Sequence, residues 1–176
     1  TPPPAWRPCV GTEEHGHWQL CPEGDYESER RYLGNSGVLQ DDVHHRHGGG
    51  RAGRLMPRGD SRADVVRRVR GVRGTVTMSH EWLVRLDYGE VRPWVRRETV
   101  CGEKVITAIG GPDKLILRGP RLPVATDHRH NDVFDVTEGD ELLFSTPGCP
   151  PTSTSRTSAT SRPDQRDHRR RRGVGR

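Results

Sequence analysis

The stretch that decides the fold runs from Arg62 to Ser145 and contains ADVVRRVRGVRGTVTM (63–78), SHEWLVRLDYGEVRPWVRR (79–97), EKVITAIGGPDKLILRG (103–119) and DVFDVTEGDELLFS (132–145). In these segments β-branched and aromatic residues are interleaved with polar ones, and Gly, Pro and Asp punctuate them at short intervals. An apolar stripe with the 3.6-residue period of a helix is absent from the sequence. The pattern predicts an all-β chain, folded as an antiparallel β-sandwich of about eight short strands.

The clearest alternation runs from His80 to Tyr88, and it places Trp82, Val84, Leu86 and Tyr88 on one face. Leu83 is the apolar exception on the opposite, polar face. Earlier in the chain, Gly71 and Gly74 predict a turn, because glycine adopts positive φ at little cost. Two further strand pairs are predicted: Lys104–Ile109 with Lys114–Arg118, and Asp132–Val136 with Glu141–Phe144.

Three segments outside these strands lack the pattern of a folded β-domain. Residues 1–10 are Pro-rich, and residues 147–176 form an Arg/Ser/Pro-rich tail; both are predicted to be disordered. Residues 41–54 hold three His and four Gly with almost no apolar side chain, so an irregular segment is expected there. Either a loop insertion or a reading-frame slip explains it, and the slip is favoured because losing a core strand is costly. The folded domain is therefore predicted to span residues 11–146.

Composition and charge argue against nucleic-acid binding as the main role. The net charge of +5 comes from the tail, where residues 147–176 carry eight Arg against two Asp, a charge of +6. The rest of the chain is close to neutral at −1. A nucleic-acid domain carries its basic residues on a folded face, so the tail predicts at most a weak, salt-sensitive attraction to polyanions. We expect no specific nucleic-acid partner.

The four cysteines, Cys9, Cys21, Cys101 and Cys149, are scattered and form no C-x-x-C pair. Structural zinc is therefore not predicted, and free thiols in the reducing cytoplasm are expected. The cluster His44, His45 and His47, with His15 and His17 upstream, lacks a scaffold that would orient metal ligands. We predict no metal site and no cofactor. No apolar run approaches the roughly 18 residues of a membrane helix, so no membrane contact is expected.

Carboxyl groups and aromatic rings are the side chains that cleave and stack on sugars, and the sequence contains several of each. The carboxylate pairs Glu13/Glu14, Glu27/Glu29 and Asp140/Glu141 are candidates by residue type only, because inverting hydrolysis needs two carboxyl groups roughly 6.5–9.5 Å apart across a sugar. No catalytic residue is assigned. Trp82 and Tyr88 are expected to fill the core, whereas Trp94 is a candidate for the outer face, for domain contact or sugar binding. No G-x-x-x-x-G-K-[ST] or G-x-S-x-G motif is present.

Six motifs carry a resemblance to a known family: GTEEHGHW, DYESERRYLG, LMPRGD, DVVRRV, RLDYGEVRPWVRR and GPDKLILRGP. Together they resemble the N-terminal β-domain of bacterial trehalase-like and glucoamylase-like enzymes, glycoside hydrolase family 15, over residues 11–40 and 55–146. The resemblance implies a supersandwich-like form of the β-sandwich, with a strand, a connector and a second strand in residues 11–39. It implies buried side chains at Trp18, Leu20, Tyr26, Tyr32, Leu33, Val38 and Leu39.

In that family the two catalytic glutamates belong to a separate (α/α)6 domain, which this sequence does not contain. The resemblance therefore implies an accessory β-domain of a hydrolase of carbohydrate metabolism, a fragment without activity of its own. The alternative is a free-standing β-sandwich module that binds carbohydrate or a partner. The implied partners are a parent or related catalytic domain, and α-glucan or trehalose.

Overall fold

The computed structural model describes residues 15–45, 48–56 and 64–149. It confirms the all-β prediction, since the only helical element in these residues is a three-residue 3₁₀ turn at Asp87–Gly89. The strands are β1 (His17–Pro22), β2 (Tyr26–Tyr32), β3 (Leu39–His45), β4 (Gly48–Leu55), β5 (Asp64–Leu83), β6 (Trp94–Val100), β7 (Glu103–Gly110), β8 (Asp113–Leu117), β9 (Val124–Thr126), β10 (Arg129–Thr137) and β11 (Glu141–Cys149). No helix in the described residues is long and apolar enough to cross a membrane.

The long strand β5 belongs to two antiparallel sheets. Its first half pairs with β4 on one side and β11 on the other, within the strand order β2-β3-β4-β5-β11-β8-β7-β6. Its second half pairs with β1 and β10, and β10 pairs in turn with β9. The two sheets pack face to face, so β5 ties both layers of the sandwich together.

The turn predicted at Gly71 and Gly74 is wrong, because β5 passes through both residues without reversing. The ladder between β4 and β5 shifts register between Gly49 and Gly50, opposite this part of β5. Gly74 has a φ of +60°. The glycines therefore serve a β-bulge, which strengthens local twist, and paired neighbours on both sides keep the strand continuous.

The irregular segment expected at residues 41–54 is also not found, because it forms most of the hairpin of β3 and β4. The prediction failed because it relied on apolar residues, of which this segment has few. Asp41 and Asp42 lie on β3 between arginines of the flanking strands β2 and β4, and ion pairs replace much of the usual apolar packing. Strand pairing on both sides of β3 satisfies its backbone.

The predicted pair of β10 and β11 is not a hairpin, since the two strands pair with opposite halves of β5. The hairpin of β7 and β8 is confirmed.

Pro147–Cys149, the start of the predicted tail, belongs to β11, while the rest of that tail and residues 1–10 lie outside the described residues. Leu20 is buried as expected, but Tyr32 and Leu33 are exposed because β2 is an edge strand.

The core between the sheets consists of two clusters. One joins the two halves of β5 to β1, β10 and β11 through Leu20, Val69, Val76, Met78, Phe134, Val136 and Phe144. The other joins the end of β5 to β7 and β8 through Trp82, Val84, Ile106, Ala108 and Leu117. Trp18 packs against both clusters. Leu83, predicted on the polar face, is buried as well.

A histidine, His80, is completely buried within this core. The indole Nε1 of Trp18 donates a hydrogen bond of 2.9 Å to His80 Nε2, and Phe144 packs edge-on against the ring with centroids 4.9 Å apart. Because Nε2 accepts, the proton of the neutral ring lies on Nδ1, which has no hydrogen-bond partner among the described residues. Burial, together with the nearby positive charge of Arg67, lowers the pKa of His80 from 6.5 to about 4.

This depressed pKa predicts a loss of stability in acid. Above pH 6.5 the imidazole is neutral in both the folded and the unfolded chain. Between pH 6.5 and 4 only the unfolded chain binds the proton. As the pH is lowered through this interval, the free energy of unfolding therefore decreases, by about 3 kcal/mol in total from this group. Urea unfolding at several pH values measures it. His80→Gln retains an acceptor for Trp18 and should lose that much less over the interval; parallel curves for the two proteins would contradict the prediction.

Candidate functional site

A cleft of about 380 Å³ opens where the end of β5, the start of β6 and the β9–β10 turn meet. Its size lies at the lower end of the roughly 300–1,000 Å³ of small-molecule sites. Aromatic and apolar side chains line it together with a few charged ones: Trp82, Val84, Arg85, Arg92, Pro93, Trp94, Val95, Ala125, Thr126, Asp127, His128 and His130. This mixture is typical of a site that holds a small ligand by one apolar face and several hydrogen bonds.

One wall of the cleft is formed by Trp94, the first residue of β6. Its side chain is 66 % exposed, which confirms that it faces outward. The guanidinium of Arg96 lies 5.2 Å from the ring centroid, within the distance of a cation–π contact. Pro93 immediately precedes it and restricts the backbone at the entry to the strand. Trp94 is therefore a supported aromatic surface that remains open to a ligand.

The floor of the cleft is formed by Trp82 and His130, which are both buried. Their rings meet edge-to-face with centroids 5.8 Å apart. Burial, with Arg97 nearby, lowers the pKa of His130, so the imidazole is neutral at neutral pH. A neutral imidazole presents one donor and one acceptor, which suits a ligand with hydroxyl groups.

The cleft is also lined by the two-residue turn Asp127–His128 between β9 and β10, whose flanking residues Thr126 and Arg129 are paired. Both turn residues adopt positive φ, 49° for Asp127 and 61° for His128. A turn of this kind favours Asn-Gly, because side chains at positive φ cost of order 1 kcal/mol or more each. The chain instead places a carboxylate and an imidazole here, beside the cleft.

Tyr88, predicted to fill the core, is 98 % exposed. The alternation that placed it there ends with β5 at Leu83, and Tyr88 lies in the following 3₁₀ turn at a φ of 53°. Trp82, the other aromatic residue predicted for the core, is buried as expected. Tyr88 is not among the residues that line the cleft.

The histidines singled out in the sequence do not converge. His17 lies opposite Leu83 at one end of β5, whereas His45 lies opposite Gly48, which pairs with Gly74 in the middle of β5. His17 Nε2 lies 3.2 Å from a carboxylate oxygen of Glu81. In the described residues no group of three or more His, Cys, Asp or Glu side chains could hold a metal ion, and His47 lies outside these residues.

Of the carboxylate pairs named from the sequence, those within the described residues do not line the cleft. Glu27 and Glu29 are exposed on the edge strand β2. Asp140 accepts hydrogen bonds from the backbone and hydroxyl of Thr137, which lower the pKa of its carboxyl group, and so it closes the β10–β11 turn. Glu141 faces Arg68 across the sheet. Glu13 and Glu14 lie outside the described residues.

A second, larger cleft of about 840 Å³ lies beside β2 and β4. Much of its wall is the loop of residues 35–38 together with Tyr32 and Met56. Among the described residues that line it, the one charged side chain is Arg54, which is already bound to Asp41. The described lining thus offers few polar groups to a ligand, and this cleft is the weaker candidate.

No model of a known protein family matches the chain, and none of the curated proteins is similar to it in sequence. The function is therefore proposed from the six sequence motifs and from the structure alone.

Proposed function

We propose that the chain is an accessory β-domain of a glycoside hydrolase of the trehalase-like or glucoamylase-like kind, family 15, and acts in carbohydrate metabolism. In this role it has no hydrolytic activity of its own and associates with a helical (α/α)6 catalytic domain. The observation that carries the proposal is the set of family-like motifs, above all RLDYGEVRPWVRR and GPDKLILRGP, which fall in a chain that folds as a β-sandwich.

The placement of these motifs in the structure supports the proposal. RLDYGEVRPWVRR (85–97) forms the connection from β5 into β6, and it presents Tyr88 and Trp94 to solvent. Large aromatic side chains are enriched in protein interfaces. Tyr88 is also held at positive φ, which is unusual for a bulky residue. We assign Tyr88 to the contact with the catalytic domain.

As part of the same proposal the chain acts in the cytoplasm. Cys21 carries a free thiol, which accords with a reducing compartment.

The alternative function is a free-standing module that binds carbohydrate or a partner. The observation that favours it is the cleft beside Trp94, because its geometry does not depend on a second domain.

The purified chain should release no glucose from trehalose or starch. A separately produced (α/α)6 domain of a related enzyme should bind it, and Tyr88→Ala should weaken that binding several-fold without lowering the melting temperature, because the side chain is almost fully exposed. Calorimetry on the mixture measures the association, and a glucose-release assay measures turnover. Hydrolysis by the chain alone that disappears in Asp127→Asn would overturn the accessory role.

A further inference from the structure

We infer that the cleft between Trp94 and the Asp127–His128 turn is a binding site for one or two pyranose units of an α-linked glucose oligomer. The inference rests on the proposed carbohydrate role for the choice of sugar, and on the cleft itself for the site.

The two walls of the cleft match the two kinds of surface on a pyranose ring. One face of such a ring is a patch of C–H groups, which packs on an aromatic face, and Trp94 offers a ring that is 66 % exposed at the cleft. The rim of the sugar carries hydroxyl groups, which donate to carboxylates and accept from guanidinium groups. Asp127 and Arg92 supply these groups from the β9–β10 turn and from the approach to β6.

The floor of the cleft gives it a fixed shape. Trp82 and His130 are buried against each other, and Trp82 belongs to the core cluster that joins β5 to β7 and β8. Because these side chains are anchored in packed strands, the cleft is formed before a ligand arrives, which lowers the entropy cost of binding. Positively and negatively charged side chains both line the cleft, namely Arg85, Arg92 and Asp127. A neutral polar ligand therefore suits it better than an anion.

The turn residues provide a second, independent observation. Asp127 and His128 both lie at positive φ in a two-residue hairpin turn, where Asn-Gly would be less strained. Strained backbone is concentrated at functional sites. The strain here holds a carboxylate and an imidazole beside the cleft, which accords with side chains kept for ligand contact.

This strain allows a test in which stability and binding change in opposite directions. The double variant Asp127→Asn with His128→Gly has a favoured turn and lacks both ionisable side chains. Its melting temperature should rise by a few degrees, while its affinity for maltotriose and trehalose should fall at least ten-fold. Trp94→Ala should lose roughly ten-fold or more in affinity with little change in melting temperature.

The sugars are titrated into the full chain by calorimetry and by tryptophan emission. Tyr32→Ala is the matched aromatic control: Tyr32 is 67 % exposed on the edge strand β2 and does not line this cleft, so the variant should bind like the unmodified chain. Absence of binding of both sugars at millimolar concentration, or binding that survives both cleft variants, overturns the inference. The association with the catalytic domain is measured separately. A chain that docks but binds no sugar refutes only the cleft, and a chain that binds sugar through Trp94 but docks to no catalytic domain refutes only the accessory role.

Discussion

Replacing Gly71 by alanine should destabilise the protein by at least about 4 kcal/mol. A Cβ atom at this position would lie 1.9 Å from the carbonyl oxygen of Thr137 and 2.6 Å from its carbonyl carbon. Both are backbone atoms, so no side-chain rotation relieves the overlap. The amide of Gly71 also donates to Asp140 O at 3.0 Å, and its carbonyl accepts from Gly139 at 3.2 Å. These bonds hold β5 against the β10–β11 turn where the two sheets diverge.

Urea unfolding measures the effect, and Gly53→Ala on the neighbouring strand β4 is the matched control. The nearest atom to a Cβ at Gly53 is Arg68 Cβ at 4.0 Å, so this substitution should change the free energy of unfolding by less than about 1 kcal/mol. Equal losses in the two variants would show that the close approach at Gly71 does not limit stability.

Replacing Asp41 by asparagine should destabilise the protein by roughly 3–5 kcal/mol. The Asp41 carboxylate is buried and accepts from Arg30 Nε at 2.6 Å and from Arg54 Nη2. Arg67 lies nearby with its guanidinium 4.6 Å from the centroid of the Trp18 ring. Burial and the charge of Arg54 lower the pKa of Arg67 to about 10, and Asp41 opposes this effect. Without the carboxylate, the guanidinium groups of Arg54 and Arg67, which are largely shielded from solvent, lose their counter-charge.

Asp42 provides the matched control, because it is the next residue on β3 and also binds two arginines. Its partners Arg31 and Arg51 are about half exposed, at 49 % and 47 %. Solvent screens ion pairs whose guanidinium groups are half exposed, whereas the Asp41 partner Arg54 is only 17 % exposed, so Asp42→Asn should be milder than Asp41→Asn. Denaturation in urea compares the two variants, and a loss in Asp42→Asn as large as in Asp41→Asn would contradict the assigned role of burial.

The strands that could be predicted from the sequence are those with local signals. The hairpin of β7 and β8 has apolar runs on both sides of a Gly-Gly-Pro-Asp turn, and it forms as expected. The hairpin of β3 and β4 was missed because its side chains are charged or small, and its aspartates pair with arginines of β2 and of β4 instead of packing in an apolar core. The continuity of β5 through Gly71 was missed because its partners are distant in sequence.

The candidate site was predictable only in part. Trp94 was a candidate for the outer face, and its exposure confirms that orientation. Asp127, His128 and His130 were not singled out, since only the pairing of β9 with β10 and of β10 with β5 brings them opposite Trp94. The available signal was an Asp between two short alternating segments, which favours a turn but does not show what the turn faces.

The shared strand β5 has a consequence for synthesis on the ribosome. Its neighbours β1 and β4 emerge before it, but β10 and β11, which flank its other side along both halves, are translated much later. Until residue 149 has emerged, one long backbone edge of the nascent chain stays unpaired. Such an edge can pair with another nascent chain, so the yield of native protein should depend on chaperones that shield it during elongation.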